Sequence, residues 1–137
     1  MDYDPESGER VLAESGNLIV VHCYEDASIY FKKTKEKFYI GDFYGDPTCA
    51  LVGPDEDWVL VGGEHLTLWQ GGLTASIAGI HWICGLRLVD SETVDILTDP
   101  WTSDSAVWRM TIPDRRLVKV ADFPWYREKP YTDDVEW

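Results

Sequence analysis

Apolar and polar side chains alternate with a period of two along most of the chain, and turn-forming residues interrupt the alternation about every ten residues. Successive side chains of a β-strand point to opposite faces, so this period predicts strands with one face toward a core. The pattern predicts about nine short strands, at residues 18–24, 37–43, 49–52, 58–63, 64–69, 80–89, 93–98, 106–112 and 116–120. We therefore expect an all-β protein, an antiparallel meander that forms a sandwich, an open barrel or a rolled sheet, with little helix.

The remaining segments carry little periodicity. The stretch GERVLAES at residues 8–15 is the one candidate for a helix, and a helix of one or two turns is marginal without packing. The tail from residue 122 to 137 contains two prolines and no alternation. A chain of 137 residues fits one domain, so we predict a single domain over 1–137 with extended or partly mobile termini at 1–10 and 122–137.

The glycine pair at residues 62 and 63 marks the clearest hairpin. Two-residue hairpin turns need positive φ, which glycine reaches without a Cβ clash. We therefore predict a two-residue turn at Gly62–Gly63, with residues 58–61 antiparallel to 64–69.

The stretch DEDWVLVGGEHLTLW, residues 55–69, resembles a β-propeller blade of the tryptophan–aspartate type, with paired strands, a glycine turn and a terminal tryptophan. The stretches LRLVDSETVDILTD and VWRMTIPDRRLVKV have a similar rhythm. A closed propeller typically has at least four blades of four strands, and the predicted strands suffice for little more than two. We therefore retain the hairpins and do not predict a propeller.

The charge of the chain is strongly acidic, with 25 Asp and Glu against 12 Lys and Arg and a formal charge of −13. Direct binding to nucleic acid requires clustered positive charge, and the one cluster of lysines lies within residues 32–37. Opposite fields accelerate protein association and favour the correct pairing. The charge therefore favours a basic protein partner over nucleic acid.

Cysteine usage indicates the compartment. Cys23, Cys49 and Cys84 are odd in number and form no C-x-x-C motif, which argues against a disulfide scaffold and a zinc ribbon. The opening MDYDPESGER lacks the basic start and apolar run of a secretion signal. No stretch approaches the ~18 continuous apolar residues of a membrane span. We expect a soluble cytoplasmic protein without a membrane partner.

Motifs for catalysis and metal binding are lacking. His81 and Cys84 spell H-x-x-C, but a spacing of three in a strand puts the two side chains on opposite faces. The adjacent His22 and Cys23 likewise face opposite ways, and no helix N-terminus is predicted that would lower a thiol pKa. His65 is the other candidate base for the Cys23 thiol, and the same lack of a helix N-terminus argues against that pair. We predict no catalytic residue, no metal site and no cofactor.

Carboxylates crowd into two loops. Asp42 and Asp46 flank one turn, and Asp55, Glu56 and Asp57 form the next. Such residues favour turns because their carboxylates bind their own backbone. A pair of them beside aromatic rings would also suit carbohydrate binding or glycoside hydrolysis, so that alternative stays open.

Seven tryptophans are an unusual number for a chain of this length. Most should lie in the core, but three lie outside the alternating strands, one in the loop TDPWTSD and two in the tail. Aromatic anchors within a polar rim are typical of protein-binding surfaces. We predict that hairpin geometry brings both acidic loops to one end of the sheet around an aromatic anchor. The predicted partner-binding residues are Asp42, Asp46, Asp55, Glu56, Asp57, Trp101, Trp125 and Trp137.

In size, acidity, β content, aromatic richness and lack of a catalytic motif, the chain resembles the small acidic immunity proteins that bacteria make against toxins. The resemblance implies a non-enzymatic inhibitor that occludes a basic toxin domain, often a nuclease. A β domain that binds a small molecule or carbohydrate, with or without hydrolysis, is the alternative. A homo-oligomer is a third possibility.

Overall fold

The computed structural model describes residues 8–137 and contains twelve β-strands and no helix in that range. Accordingly, the described residues include no helix long and apolar enough to cross a membrane. The strands are β1 Glu9–Glu14, β2 Leu18–Cys23, β3 Asp26–Phe31, β4 Glu36–Asp42, β5 Cys49–Val52, β6 Trp58–Gly62, β7 Leu66–Gln70, β8 Leu73–Ile77, β9 Ile83–Asp90, β10 Thr93–Thr98, β11 Ala106–Thr111 and β12 Leu117–Asp122.

The strands form three sheets of four, and each sheet consists of four consecutive strands in an antiparallel meander. The first sheet has the order β1-β2-β3-β4, the central sheet β5-β6-β7-β8 and the third sheet β12-β11-β10-β9. Every pairing therefore joins strands that are adjacent in sequence. The predicted all-β antiparallel meander is confirmed.

The central sheet is buried on both faces. In β6 the four residues Trp58, Val59, Leu60 and Val61 are all at most 2% exposed, because this run is continuously apolar rather than alternating. Trp58 and Leu60 contribute to a core shared with the third sheet. Val59 and Val61 contribute to a second core shared with the first sheet. The central sheet is thus the layer on which the other two pack.

The sequence predicts about nine strands, and three of the twelve observed strands are not among them. The one helix candidate, at 8–15, does not form, because Glu9–Glu14 make β1 and pair with β2. Strands β3 and β8 are also absent from the predicted strands. Strand β8 buries only Ile77 and exposes 74% of Leu73, so it lacks the alternation that would reveal it.

The hairpin between β6 and β7 is confirmed, but its turn is not the predicted one. Gly62 pairs with Leu66, so the loop has three residues, 63–65. Positive φ occurs instead at Gly71 and Gly72, which form the two-residue turn between β7 and β8. Gly62 serves packing: a Cβ there would lie 2.5 Å from Ile83 Cγ2.

The structure describes only a small part of the first predicted terminal segment, 1–10, and all of the second, 122–137. Most of the segment 1–10 lies outside the described residues, which begin at residue 8. After β12 the chain runs without strands from Phe123 to Trp137. Phe123 is buried, and the Trp137 ring covers Gly85 on the third-sheet face that points away from the central sheet.

Candidate functional site

A cavity of about 570 Å³ opens where loops of the central sheet meet loops of the third sheet. The central sheet contributes residues of the β4–β5 and β6–β7 loops. The third sheet contributes the start of β9, the β10–β11 loop and part of the tail. This volume lies within the range of about 300–1,000 Å³ that is typical of ligand sites. We call this feature the aromatic cavity.

Four aromatic side chains line the aromatic cavity: Tyr44, Trp82, Trp101 and Tyr131. Tyr44 is 80% exposed, Trp82 54% and Tyr131 73%, so these rings are not core residues. Tyr131 packs on the half-buried Trp101, with 4.8 Å between ring centroids. Exposed aromatic surface concentrated in one concavity is typical of a binding site.

Four carboxylates accompany the aromatic rings: Asp46, Glu64, Asp99 and Asp133. None of the described residues that line the cavity is a lysine or an arginine. Four acidic side chains and no basic side chain on its walls give the cavity a negative potential. It therefore favours cations over anions.

The carboxylates differ in how far they are already engaged. Glu64 lies 3.1 Å from His65 Nδ1 and 3.5 Å from His81 Nδ1. Asp133 accepts a 2.6 Å hydrogen bond from the Tyr131 hydroxyl, and this bond raises the pKa of Tyr131. Asp46 is exposed and makes no ion pair with any described residue. It is the carboxylate most available to a ligand.

Trp82 has an unusual backbone conformation, which hydrogen bonds to two neighbouring loops stabilise. Its φ is 56°, a conformation that a bulky residue seldom adopts and that clusters at functional sites. The Trp82 N–H donates to the Glu64 carbonyl at 2.9 Å, and the Asp99 N–H donates to the Trp82 carbonyl at 3.0 Å. The side chain between these two bonds is 54% exposed and lines the cavity instead of the core.

The tail forms part of the cavity wall and is fastened at two points. Arg127 donates to Ser105 from Nε to Oγ at 2.7 Å and from Nη2 to the carbonyl at 3.0 Å. The guanidinium of Arg87 lies 4.2 Å from the centroid of the Trp137 ring and donates to the Trp137 carbonyl. Tyr131, between these anchors, is thereby held against Trp101.

The predicted site residues do not converge as expected. Asp46 and Trp101 both line the aromatic cavity. The loop of Asp55–Asp57 lies at the opposite end of β6, because Cys49 pairs with Gly62 and Val52 with Val59. A strand of five residues separates the two ends by roughly 15 Å. The hypothesis that both acidic loops share one end of the sheet is therefore wrong.

The other predicted residues lie outside the cavity lining. Asp42 ends β4, is exposed and pairs in register with Asp26. Trp125 is 67% exposed in the tail. The Trp137 ring packs against Gly85 and the guanidinium of Arg87.

Glu56 serves the fold, since its carboxylate joins the central sheet to the turn between β1 and β2. It accepts hydrogen bonds from the Asn17 N–H at 2.8 Å, from Asn17 Nδ2 at 2.7 Å and from the Ser15 hydroxyl. These bonds, that from Ser15 foremost, hold the pKa of Glu56 below its usual value. Its oxygens are therefore less available to a partner than those of its neighbours.

We expect Glu56→Gln to lower the free energy of unfolding by about 1 kcal/mol at neutral pH, with allowance for solvent screening. A depressed folded pKa gives stabilisation that is full above the unfolded pKa and is lost as pH falls through the folded pKa. The difference from wild type should therefore shrink between about pH 5 and pH 3. Urea unfolding across this range measures it, with the exposed Asp55→Asn as control. An equal loss at every pH would contradict the assignment.

Sequence reasoning missed most of the cavity. Trp82 falls inside the predicted strand 80–89, whereas β9 begins at Ile83 and leaves Trp82 in the preceding loop. Tyr44 and Asp99 were correctly placed in loops, but local patterns do not reveal which loops meet. Tyr131 and Asp133 lie in an aperiodic tail whose course depends on tertiary contacts.

The histidines and cysteines considered for catalysis and metal binding make packing and hydrogen-bond contacts within the fold. His65 stacks on Phe43 with 4.4 Å between ring centroids, and His22 Nδ1 lies 2.9 Å from the Tyr24 carbonyl. Burial raises the pKa of the Cys49 thiol to about 12 and also raises that of Cys84, which disfavours the reactive thiolate. Within residues 8–137 no three His, Cys, Asp or Glu side chains are grouped to hold a metal ion.

No protein-family model and no curated protein sequence matches the chain. The functional argument therefore rests on the aromatic cavity and the charge of the molecule.

Proposed function

We propose that the protein is a non-enzymatic binding protein that recognises and occludes a basic partner protein through the aromatic cavity. We propose further that it acts in the bacterial cytoplasm as an immunity or inhibitor protein against a toxin. The observation that carries the proposal is the cavity itself, in which four aromatic rings and four carboxylates meet without a basic side chain.

Charge and aromatic surface contribute to binding in different ways. A formal charge of −13 attracts a basic protein at long range and increases the rate of encounter. Aromatic anchors such as Trp82 and Trp101 act at short range, because burial of their large surface slows dissociation. Together they suit an inhibitor that must find its target quickly and hold it.

The non-enzymatic character is supported by the chemistry of the available groups. The partly buried thiols of Cys49 and Cys84 have raised pKa values and are poor nucleophiles. The free state of all three cysteines also fits the proposed reducing compartment.

A binding domain for a small molecule or carbohydrate is the second candidate. Rings such as Trp82 and Tyr44 would stack on a sugar, and the cavity has the volume of a ligand site. The two candidates differ in salt dependence: screening weakens attraction between charged proteins and leaves binding of a neutral sugar nearly unchanged.

The test is capture of a partner from bacterial lysate by immobilised protein, followed by surface plasmon resonance with the identified partner. We expect a basic protein that is retained at low salt and less at high salt. Trp101→Ala and Trp82→Ala should dissociate about tenfold faster than wild type. The matched control is Trp125→Ala, which removes an exposed tryptophan outside the cavity lining. Equal dissociation rates for all three variants, or capture insensitive to salt, would overturn the proposal.

A further inference from the structure

We infer that the aromatic cavity receives the side chain of a single arginine, whose guanidinium lies against an aromatic ring and is neutralised by Asp46. This inference rests on the proposed function, since it names the group by which the basic partner is recognised. It is carried by the cavity's combination of flat aromatic surface with an unengaged carboxylate.

Each part of a guanidinium matches part of the lining. Its planar face stacks on aromatic rings, and its edge donates two parallel hydrogen bonds to a carboxylate. A lysine ammonium is more strongly hydrated and lacks the planar edge, so it gains less from the same surroundings. A neutral ligand would leave the negative potential of the cavity uncompensated.

The third sheet contains an internal example of the same arrangement. The guanidinium of Arg87 lies 4.2 Å from the centroid of the Trp137 ring, and its Nη2 lies 3.5 Å from Asp95 Oδ2. An arginine is thus held there between an aromatic ring and a carboxylate. The aromatic cavity presents the same two components without the arginine.

The existing contacts select Asp46 as the principal carboxylate. Glu64 lies near two histidines, and Asp133 accepts the hydroxyl of Tyr131. Asp99 is only partly exposed, in a tight turn that the Thr102 N–H closes onto the Asp99 carbonyl, so its carboxylate is less accessible than that of the exposed Asp46. Asp46 belongs to the exposed β4–β5 loop beside Tyr44, where a ligand can reach it.

The experiment is a titration of ¹⁵N-labelled protein with N-acetyl-arginine amide, followed through the indole N–H signals of the tryptophans. The neutral isostere N-acetyl-citrulline amide, N-acetyl-lysine amide and cellobiose are titrated in parallel. We expect saturable shifts of the Trp82 and Trp101 signals with a dissociation constant of about 1 mM for the arginine probe. Binding of citrulline and cellobiose should be at least about tenfold weaker, and lysine should be intermediate.

Paired variants separate the contribution of the cavity residues to binding from the effect of the net charge of the protein. Asp46→Asn and Trp82→Leu should each weaken binding of the arginine probe about tenfold. Asp55→Asn, which makes the same change in net charge at the other end of the central sheet, and Trp125→Leu should leave it unchanged. Absence of saturable binding, equal affinity for citrulline, or equal loss in Asp46→Asn and Asp55→Asn would overturn the inference.

The capture experiment and the arginine titration distinguish failure of the arginine assignment from failure of the proposed function. Salt-sensitive, Trp101-dependent capture of a basic partner without binding of the arginine probe would leave the proposed function standing and overturn the arginine assignment. Selective binding of the arginine probe without any captured basic protein would support the arginine site and contradict the inhibitor role.

Discussion

Replacement of Gly62 by alanine is expected to lower the free energy of unfolding by about 2 kcal/mol, because it forces the central and third sheets apart. The added Cβ would lie 2.5 Å from Ile83 Cγ2 and 2.8 Å from Ile83 Cβ. Ile83 is 2% exposed, so its β-branched side chain has little freedom to yield. The Ile83 N–H also donates to the Gly63 carbonyl at 2.7 Å, which fixes the strand at this distance.

Gly16 provides the matched control for this substitution. A Cβ on Gly16 meets nothing within 4 Å, and the residue has no positive φ. Gly16→Ala should therefore leave stability unchanged or raise it by up to about 1 kcal/mol, through the unfolded state. Urea unfolding of both variants measures the difference. Equal stabilities would mean that the two sheets do not approach each other at Gly62.

Charge reversal at the aromatic cavity should slow association with the proposed basic partner about tenfold at low salt. The variant carries Asp46→Lys and Asp133→Lys, both in the cavity lining. Positive charge there would repel the cationic group that we propose enters the cavity, and the repulsion acts before contact. The effect should shrink as salt rises, because screening shortens the range of the field.

A second double variant, Asp55→Lys with Asp57→Lys, separates the local effect from that of net charge. Each replacement raises the formal charge by two, so both double variants move from −13 to −9. The control pair lies at the opposite end of β6 and should slow association by no more than about twofold. Association rates from surface plasmon resonance at two salt concentrations measure both variants. Equal slowing by the two pairs would assign the effect to net charge and not to the cavity.

Two of the strands that the sequence predicted correctly show burial that follows a simple pattern. The run from Trp58 to Val61 is continuously apolar and became the doubly buried β6. In β11, Arg109 alternates with the buried Met110, as expected for a sheet with one exposed face. Strands β1 and β8 lie at sheet edges with much of their surface exposed, and their pairing comes from neighbours instead of their own pattern.

The candidate site was predictable only in part, for a related reason. Asp46 and Trp101 were recognised because a turn carboxylate and a loop tryptophan stand out locally. Their meeting with Trp82 depends on how the third sheet packs on the central one, which no local pattern encodes. Glu56 illustrates the converse: it shares the composition of an acidic loop, yet its carboxylate is occupied by Asn17 and Ser15.

The serial arrangement of the three meanders makes the molecule a short one-dimensional array. Each meander forms its strand-pairing hydrogen bonds within its own stretch of chain, and each of the two apolar cores joins one outer unit to the middle one. In such arrays stability is approximately a sum of unit terms and nearest-neighbour coupling terms. A core mutation in an outer sheet therefore weakens one interface between sheets. A mutation that disrupts the central sheet weakens both interfaces, and the two outer sheets no longer stabilise each other through it. Tolerance to mutation should accordingly be lowest in the middle third of the chain.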